Sequence, residues 1–347
     1  MVKTWRVWLS FFAALIAAQP LLAQDTTEAN MTDKAHKTDW MANGSFGLMV
    51  HYLIGPAGDA PEQRTAEFNR IVDGFDVDAF IAQLESTGAD WLIFTIGQNT
   101  GYWASPNRLL DQRVPGHTSD RDLVLEIAVR VKALGKHLIA YLPSEVSMQA
   151  DEIKKAFEWD PADQSRFQRN YQEFIRQYAL KLGRLCDGWW FDGCYDWPEF
   201  NNKLYDFPAW NAVARAGNPD ALVAYNDGSF CIGKIAPVTP LEDYLSGEVH
   251  FLVDGRIALS HGDNVPTYMP DARFVDGVQW HALIPVDSTF EGGAPHSYSD
   301  AELFQWVEDC KSVGGAVTIN LPIGQDGKAP DASIRQMTRL GRFLAEE

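Results

Sequence analysis

The stretch Cys186-Asp-Gly-Trp-Trp-Phe-Asp-Gly-Cys194 predicts a buried strand that ends in a carboxylate. Trp189, Trp190 and Phe191 form an aromatic run of the kind that a strand covered on both faces tolerates. Gly193 follows Asp192 at once and permits a sharp turn, which leaves the Asp192 side chain at the end of the strand. An Asp in this position is also common as a turn residue or a helix N-cap, so its surroundings must decide its role.

Strand-like and helix-like segments alternate along the rest of the chain. Strands are predicted at residues 46–51, 91–95, 136–142, 187–192, 222–226, 247–250, 277–283 and 316–321. Helices are predicted at residues 77–85, 120–134, 162–185, 204–216, 300–312 and 332–344, with Asp120 and either Ser299 or Asp300 as N-caps. About eight strand–helix repeats predict an α/β fold, a (β/α)8 TIM-type barrel. Residues 228–295 are less regular, so we expect an irregular second half. No glycine-rich phosphate loop supports the alternative, a doubly wound open sheet.

The first 23 residues have the layout of a secretory signal peptide. Lys3 and Arg6 precede an apolar run that is shorter than the roughly 20 residues a membrane span needs, and a small residue, Ala23, marks the expected cleavage site. We therefore expect export to the periplasm or the medium, a flexible segment at residues 24–39, and a single barrel domain at residues 40–347. Cleavage takes the formal net charge from −18 to −20, which argues against nucleic acid and anionic membranes as partners.

Polar and aromatic residues stand near the predicted strand ends, where the active sites of barrels lie. They are His51, Gln98, Asn99, Tyr141, Glu145, Asp192, Asn226, Asp227, Glu248, Trp280, His281 and Asn320. Each has a structural explanation by itself, because turns favour Asn and Asp. Together they would offer carboxylates and amides for hydroxyl groups and aromatic rings for the apolar face of a sugar. The sequence therefore predicts a carbohydrate site, with an oligosaccharide or glycoconjugate as the substrate.

Five segments, in the same order along the chain, resemble the α-L-fucosidases of glycoside hydrolase family 29. They are Phe46-Gly-Leu-Met-Val-His51, Phe75-Asp-Val-Asp-Ala-Phe80 with Gly88-Ala-Asp-Trp91, Arg121-Asp-Leu-Val124 with residues 135–141, Trp190-Phe-Asp192-Gly193, and Gly314-Gly-Ala-Val-Thr-Ile-Asn320 with Gly324-Gln-Asp-Gly327. The fourth of these resembles the segment that carries the family's nucleophile. The resemblance implies a catalytic barrel and a glycoside hydrolase without cofactor or metal.

Three departures from the family pattern bear on the substrate. Gln98-Asn99-Thr100-Gly101-Tyr102 stands where the family usually has His-His-Asp-Gly-Phe, and those two histidines help to hold fucose. Trp280-His281 stands where many members have Trp-Glu, and the β-sandwich that many members carry is expected to be absent. A sugar other than fucose is therefore an open alternative.

The resemblance implies a retaining mechanism, in which Asp192 is the nucleophile and a second carboxyl group is the acid/base. Glu248 is the first candidate for the acid/base, with Glu291 and Glu145 as alternatives. For substrate binding we expect hydrogen bonds from His51 and Asn226 and stacking by Tyr141 and Trp280, with His281 beside Trp280. Gln98 and Asn99 are expected to set specificity.

Three other functions remain open from the sequence. A non-catalytic carbohydrate-binding barrel would keep the site and lack the acid. A metal-dependent hydrolase would use His51, Asp192 and another strand-end residue as ligands, but no His-x-His or His-x-x-x-His spacing supports one. An endo-acting glycosidase would differ from an exo-acting enzyme only in its loops.

Overall fold

A computed structural model describes residues 35–196, 201–228, 235–260, 265–290 and 294–346 of the chain. The helices are α1 (Asp39–Asn43), α2 (Pro61–Asp73), α3 (Val77–Thr87), α4 (Arg108–Arg113), α5 (Leu123–Ala133), α6 (Asp151–Phe157), α7 (Ser165–Leu182), α8 (Phe207–Ala214), α9 (Asp300–Ser312) and α10 (Asp331–Ala345). The strands are β1 (Gly47–Val50), β2 (Trp91–Thr95), β3 (His137–Pro143), β4 (Gly188–Asp192), β5 (Leu222–Tyr225), β6 (Leu252–Val253), β7 (Arg256–Ala258), β8 (Thr267–Tyr268), β9 (Phe274–Val275), β10 (Val278–Gln279), β11 (His281–Pro285) and β12 (Ala316–Leu321).

Seven strands form one parallel sheet in the order β11-β12-β1-β2-β3-β4-β5. Irregular chain at residues 243–249 lies between the two edges of this sheet. Asp243 N donates to Val223 O of β5 at 2.9 Å, and Val249 N donates to Leu283 O of β11 at 2.8 Å. This segment takes the place of the sixth strand, so the sheet closes as a (β/α)8-like barrel. The predicted irregular second half is confirmed.

Gly247 explains why the sixth strand is irregular. Its φ is +68°, a conformation that side chains disfavour. A Cβ atom there would lie 2.0 Å from the carbonyl oxygen of His281, so the chain can approach β11 only with glycine at this position. On either side of Gly247 the segment makes only isolated parallel bridges, Tyr244 with Gln279 and Glu248 with Leu283.

The alternation of side chains along each strand divides the core into two layers. Trp189 and Phe191 of β4 belong to the large apolar layer between the sheet and the helices. Trp190 belongs to the inner layer, where its ring stacks on Tyr141 of β3 with centroids 5.1 Å apart. Asp192 has the same parity as Trp190, so β4 presents this carboxylate on the inner side at its carboxyl end.

Several predicted boundaries shift in the structure. The second predicted helix begins at Leu123 and its N-cap is Asp122, whose side chain accepts from Leu125 N at 3.2 Å, so Asp120 is not the cap. Ser299 caps α9, as one of the two alternatives predicted. Helices α1, α2, α4 and α6 lie in segments for which no helix was predicted.

The end of the expected flexible segment is held against the barrel. Thr38 is fully buried and its hydroxyl donates to Gln279 Oε1 at 3.0 Å. Arg273 donates to Asp39 Oδ1 at 2.6 Å. Residues 38 and 39 of the predicted segment are therefore packed against the barrel, and residues 24–34 lie outside the described residues.

Candidate active site

The Asp192 carboxylate accepts hydrogen bonds on both of its oxygens. Gln98 Nε2 donates to Oδ2 at 3.0 Å, and the Tyr141 hydroxyl donates to the same oxygen. Gly193 N donates to Oδ1 at 2.9 Å, and Asn226 Nδ2 donates to it at 2.8 Å. Gly193 has φ +77°, which lets its N–H turn back onto the preceding side chain. The carboxylate is thus held in one orientation by three neighbouring strand ends.

The surroundings of Asp192 shift its pKa in opposite directions. Burial raises the pKa of Asp192, and the nearby negative charge of Glu248 raises it further. Hydrogen bonds from Tyr141, Asn226 and Gly193 act in the opposite direction. Burial together with the Asp192 charge raises the pKa of Tyr141 well above its usual range. Tyr141 therefore keeps its proton at neutral pH and can serve as a permanent donor to the carboxylate.

Glu248 lies in the segment that takes the place of the sixth strand, and it shares a donor with Asp192. The Asn226 amide nitrogen donates both to Asp192 Oδ1 and to Glu248 Oε2. The other Glu248 oxygen, Oε1, lies 3.0 Å from His250 Nε2. Two oxygens that bond the same nitrogen lie within about 6 Å of each other, since each hydrogen bond spans about 3 Å. The two carboxylates are therefore a close pair.

His51 is the neutral polar group on the opposite side of the site. Its Nδ1 lies 3.0 Å from Asn320 Oδ1, and the Asn320 amide nitrogen donates to the Ser288 hydroxyl at 3.0 Å. Burial lowers the pKa of His51 to about 4. Because the ring is neutral at pH 7 and Nδ1 faces a carbonyl oxygen, Nδ1 carries the hydrogen and Nε2 is left as an acceptor.

Phe290 adds an apolar wall to this face. Its ring makes edge contacts with His51 and His250, at centroid distances of 5.7 and 5.9 Å. The partly exposed side chains around Asp192 are His51, Gln98, Tyr195, Glu248 and Phe290. A ligand at this end of the barrel meets these groups, which combine carboxylates, an amide, an imidazole and aromatic rings.

The predicted substrate-binding residues fall into two groups. His51, Gln98 and Asn99 are accessible, as a binding role requires. Tyr141 and Asn226 lie at Asp192 but are fully buried, so they contact the carboxylate and leave no surface for a sugar. The ring predicted to stack on substrate, Tyr141, stacks on Trp190 instead.

Trp280 and His281 are not brought to Asp192. The strand predicted at residues 277–283 is instead β11 (His281–Pro285), so these two residues stand at its amino end and not at its carboxyl end. Trp280 is buried in the layer between sheet and helices. His281 Nε2 lies 2.7 Å from the Thr318 hydroxyl and His281 Nδ1 lies 3.0 Å from Leu245 O, which occupies both ring nitrogens inside the barrel.

Of the alternative acid/base residues, Glu291 lies outside the described residues and Glu145 is buried beneath the turn after β4. Glu145 is 3 % exposed, and a Cβ atom on Gly193 would lie 3.0 Å from its Cγ. Ser147 N donates to Glu145 Oε2. Burial raises the pKa of Glu145 to about 7, with a smaller contribution from the Asp192 charge. Glu145 has the proton affinity of a general acid, but its position is less open than that of Glu248.

The buried Glu145 predicts a loss of stability as the pH rises. Its pKa in the folded protein, about 7, lies above the ordinary value of 4.5, so the folded state binds more protons between these values. The free energy of unfolding therefore decreases as the pH rises from 4.5 to 7, by about 3 kcal/mol for this group, and it does not recover at higher pH. We expect the free energy of unfolding of Glu145→Gln, taken relative to wild type, to be higher at pH 8 than at pH 4. Urea unfolding of both proteins at both pH values measures this difference. The exposed Glu152→Gln is the control, and an equal difference at both pH values would contradict the prediction.

Several groups at the site were not predicted. His250 follows Glu248 by two residues, so an extended chain puts both on one side, and this spacing was the available signal. Ser246, Ser288, Tyr195 and Phe290 reach the site through irregular loops, whose path no local pattern specifies. Among the described residues, no group of three His, Cys, Asp or Glu side chains is placed to hold a metal ion. In the same part of the chain, no helix has the length and apolar character of a membrane span.

No protein-family profile and no curated protein matches the chain. The solved structures that match its fold include fucosidases and fucoidan hydrolases. The endo-fucoidan hydrolase MfFcnA9 of glycoside hydrolase family 107 matches with a TM-score of 0.63 and 18% identity over 89% of this chain and 64% of its own. The related MfFcnA4 matches with a TM-score of 0.62 and 19% identity over 89% of this chain and 54% of its own.

The α-L-fucosidase isoenzyme 1 of Paenibacillus thiaminolyticus matches with a TM-score of 0.62 and 16% identity, over 89% of this chain and 75% of its own. This chain thus spans between about half and two thirds of the two fucoidan hydrolases. The likenesses show a fucosidase-like barrel fold, and the sequence resemblance to family 29 is confirmed at that level.

Proposed function

We propose that this protein is an exported retaining glycosidase that removes a terminal α-linked sugar, with α-L-fucose as the first candidate. The observation that carries the proposal is the single amide nitrogen of Asn226 that bonds both Asp192 and Glu248. An oxygen–oxygen separation below about 6 Å is compatible with the roughly 5–5.5 Å of retaining enzymes, and it is shorter than the roughly 6.5–9.5 Å that an inverting enzyme needs for its water.

In the first step of the proposed reaction, an Asp192 oxygen bonds to the anomeric carbon while the bond to the leaving oxygen breaks. Glu248 gives its proton to that oxygen, so the aglycone departs as a neutral alcohol. In the second step, Glu248 takes a proton from water as the water oxygen attacks the same carbon. The bond to Asp192 breaks, and the sugar leaves with its original configuration.

The sugar is inferred from the resemblance and from the fold. The structural neighbours are named as fucosidases and endo-fucoidan hydrolases. His51 offers a neutral acceptor nitrogen, and Phe290 offers an apolar surface beside it. The pair Gln98-Asn99, where family 29 has two histidines, favours hydroxyl contacts that do not change with pH, since amides do not titrate.

A panel of aryl α- and β-glycosides, with α-L-fucoside included, tests this proposal. Turnover of one α-glycoside with retained configuration in the first product, followed by NMR, would support it. The likeness to endo-fucoidan hydrolases favours a second candidate, an endo-acting enzyme, and fucose-containing oligosaccharides in the same panel distinguish the two. No turnover of any member, with binding of the sugars by calorimetry, would favour a carbohydrate-binding barrel instead.

Gln98 should contribute to substrate affinity. Its Nε2 bonds Asp192, and its side chain is partly exposed beside that carboxylate, where it can bond a substrate hydroxyl. We expect Gln98→Ala to raise KM about tenfold, the effect of one lost hydrogen bond. Initial-rate kinetics on the best aryl glycoside measure this, with Gln305→Ala on the exposed face of α9 as the control. Unchanged KM and kcat in Gln98→Ala would place the sugar site elsewhere.

A further inference from the structure

The Asn226 side chain has no hydrogen-bonding capacity left for a ligand. It is fully buried. Its nitrogen donates to Asp192 and Glu248, which uses both hydrogens. Its oxygen accepts from Gly228 N at 3.0 Å and from the Ser246 hydroxyl at 3.2 Å, which uses both lone pairs.

The orientation of this amide follows from its neighbours. Gly228 N is a backbone donor and must face an acceptor, so Oδ1 is the atom on that side. The nitrogen then faces the two carboxylates. The Asn226 backbone is fixed as well, because its N–H donates to Phe191 O and its C=O accepts from Cys194 N, each at 2.7 Å. Asn226 therefore lies in one position relative to the end of β4.

We infer that Asn226 is a positioning residue, which sets the separation of Asp192 and Glu248 by donating one hydrogen to each, and does not bind substrate. The inference rests on the proposed function of the two carboxylates. A hydrogen bond is directional, so a nitrogen shared by the two carboxyl groups holds one oxygen of each at a fixed point. Gln98, Tyr141 and Gly193 also hold Asp192, but among these donors only Asn226 also bonds Glu248.

Other groups also face Asp192 and must be counted in any pH experiment. They are Tyr141 on β3, Tyr195 and the Cys194 thiol after β4, Glu145 beneath Gly193, and Glu248 beside Asn226. The Asn226 amide opposes the effect of burial and of Glu248 on the Asp192 proton. Removing the amide should therefore move Asp192 toward higher pKa.

The experiment compares wild type, Asn226→Ala and Asn211→Ala by two readouts. Asn211 is a matched control, because its amide is also buried and donates to Leu241 O at 2.8 Å, away from both carboxylates. The first readout is the pH dependence of kcat/KM on the best aryl glycoside. The second is a carboxyl carbon-13 NMR titration of Asp192, assigned with Asp192→Asn, which needs no turnover.

For Asn226→Ala we expect kcat to fall about 100-fold with KM nearly unchanged. We expect the acid limb of the profile and the Asp192 NMR midpoint to move up by about one pH unit. Asn211→Ala should move neither. Ser246→Ala, which removes one of the two groups that hold the Asn226 oxygen, should shift the midpoint in the same direction by less, and it serves if Asn226→Ala does not fold.

The outcomes separate the inference from the proposed function. A raised KM with an unmoved midpoint in Asn226→Ala would mean that Asn226 contacts substrate, and would overturn the inference. An unmoved midpoint in both Asn226→Ala and Ser246→Ala would overturn it regardless of activity. A moved midpoint in a protein that hydrolyses no glycoside would leave the positioning role standing and reject the glycosidase.

Discussion

Asp192→Gly should lower kcat/KM on an aryl α-glycoside at least about 10⁴-fold, since it removes the proposed nucleophile. The variant leaves a space next to the anomeric carbon, on the face opposite the leaving group. Azide can enter that space and attack, because it needs no activation by a base. We expect sodium azide to restore turnover and to yield a glycosyl azide of inverted configuration, identified by NMR.

Asp187→Asn is the matched control for this experiment. Asp187 directly precedes β4 at its amino end, where it pairs with Lys132 at 3.0 Å, and it faces away from the site. We expect it to lose stability and to keep its activity. If Asp192→Gly is folded and still turns over the glycoside, Asp192 is not the nucleophile. The mechanism argued from the Asn226 bridge, in which the Asn226 side chain bonds both Asp192 and Glu248, is then rejected as well.

Glu248→Ala should produce a loss that depends on the leaving group. Glycosides with poor leaving groups need the proton and should lose about 10²–10⁴-fold in kcat/KM. Glycosides with acidic aryl leaving groups should lose far less, because they depart without protonation. Azide should then intercept the sugar bound to Asp192 and give a glycosyl azide of retained configuration, the opposite of the Asp192→Gly product. Kinetics across a leaving-group series measure the dependence.

Glu145→Gln and Glu291→Ala are the comparison variants, since these residues are the other acid candidates. Burial raises the pKa of Glu145 to about 7, but this residue lies beneath Gly193. We therefore expect the decrease of kcat/KM in Glu145→Gln to be independent of the leaving group. A leaving-group dependence that appears in Glu145→Gln or Glu291→Ala, and is absent in Glu248→Ala, would assign the acid to that residue. The Asn226 bridge would then join the nucleophile to a carboxylate of another role.

Much of the barrel could be predicted from the sequence because its strands carry local signals. Trp91-Leu-Ile-Phe-Thr95 and Ala316-Val-Thr-Ile-Asn-Leu321 form strands at the predicted residues. Both are apolar on two faces and are bounded by helices, so the pattern leaves little choice. The strand around His281 was misplaced by several residues, because the apolar run continues through Pro285 and the preceding residues pair instead as β10 with β9.

In the candidate site, too, only the features with a local signal could be predicted from the sequence. Asp192 could be predicted, because an aromatic run, a carboxylate and a glycine are adjacent in the chain. Trp280 could not be placed, because a shift of the strand start turns a predicted site residue into a core residue. Tyr141 was predicted at the site, but whether its ring faces a ligand or Trp190 depends on how β3 and β4 align.

By itself, the sequence determined the parallel barrel, the order of its strands along the chain and the carboxylate at the end of β4, since these depend on neighbours in the chain. Only the tertiary structure decided that Asn226 joins Asp192 to Glu248, that His250 lies on Glu248, and that irregular chain at residues 243–249 takes the place of the sixth strand. The physical reason is that these contacts link residues far apart in sequence. They exist only once the sheet closes and its register brings the strand ends to a common mouth.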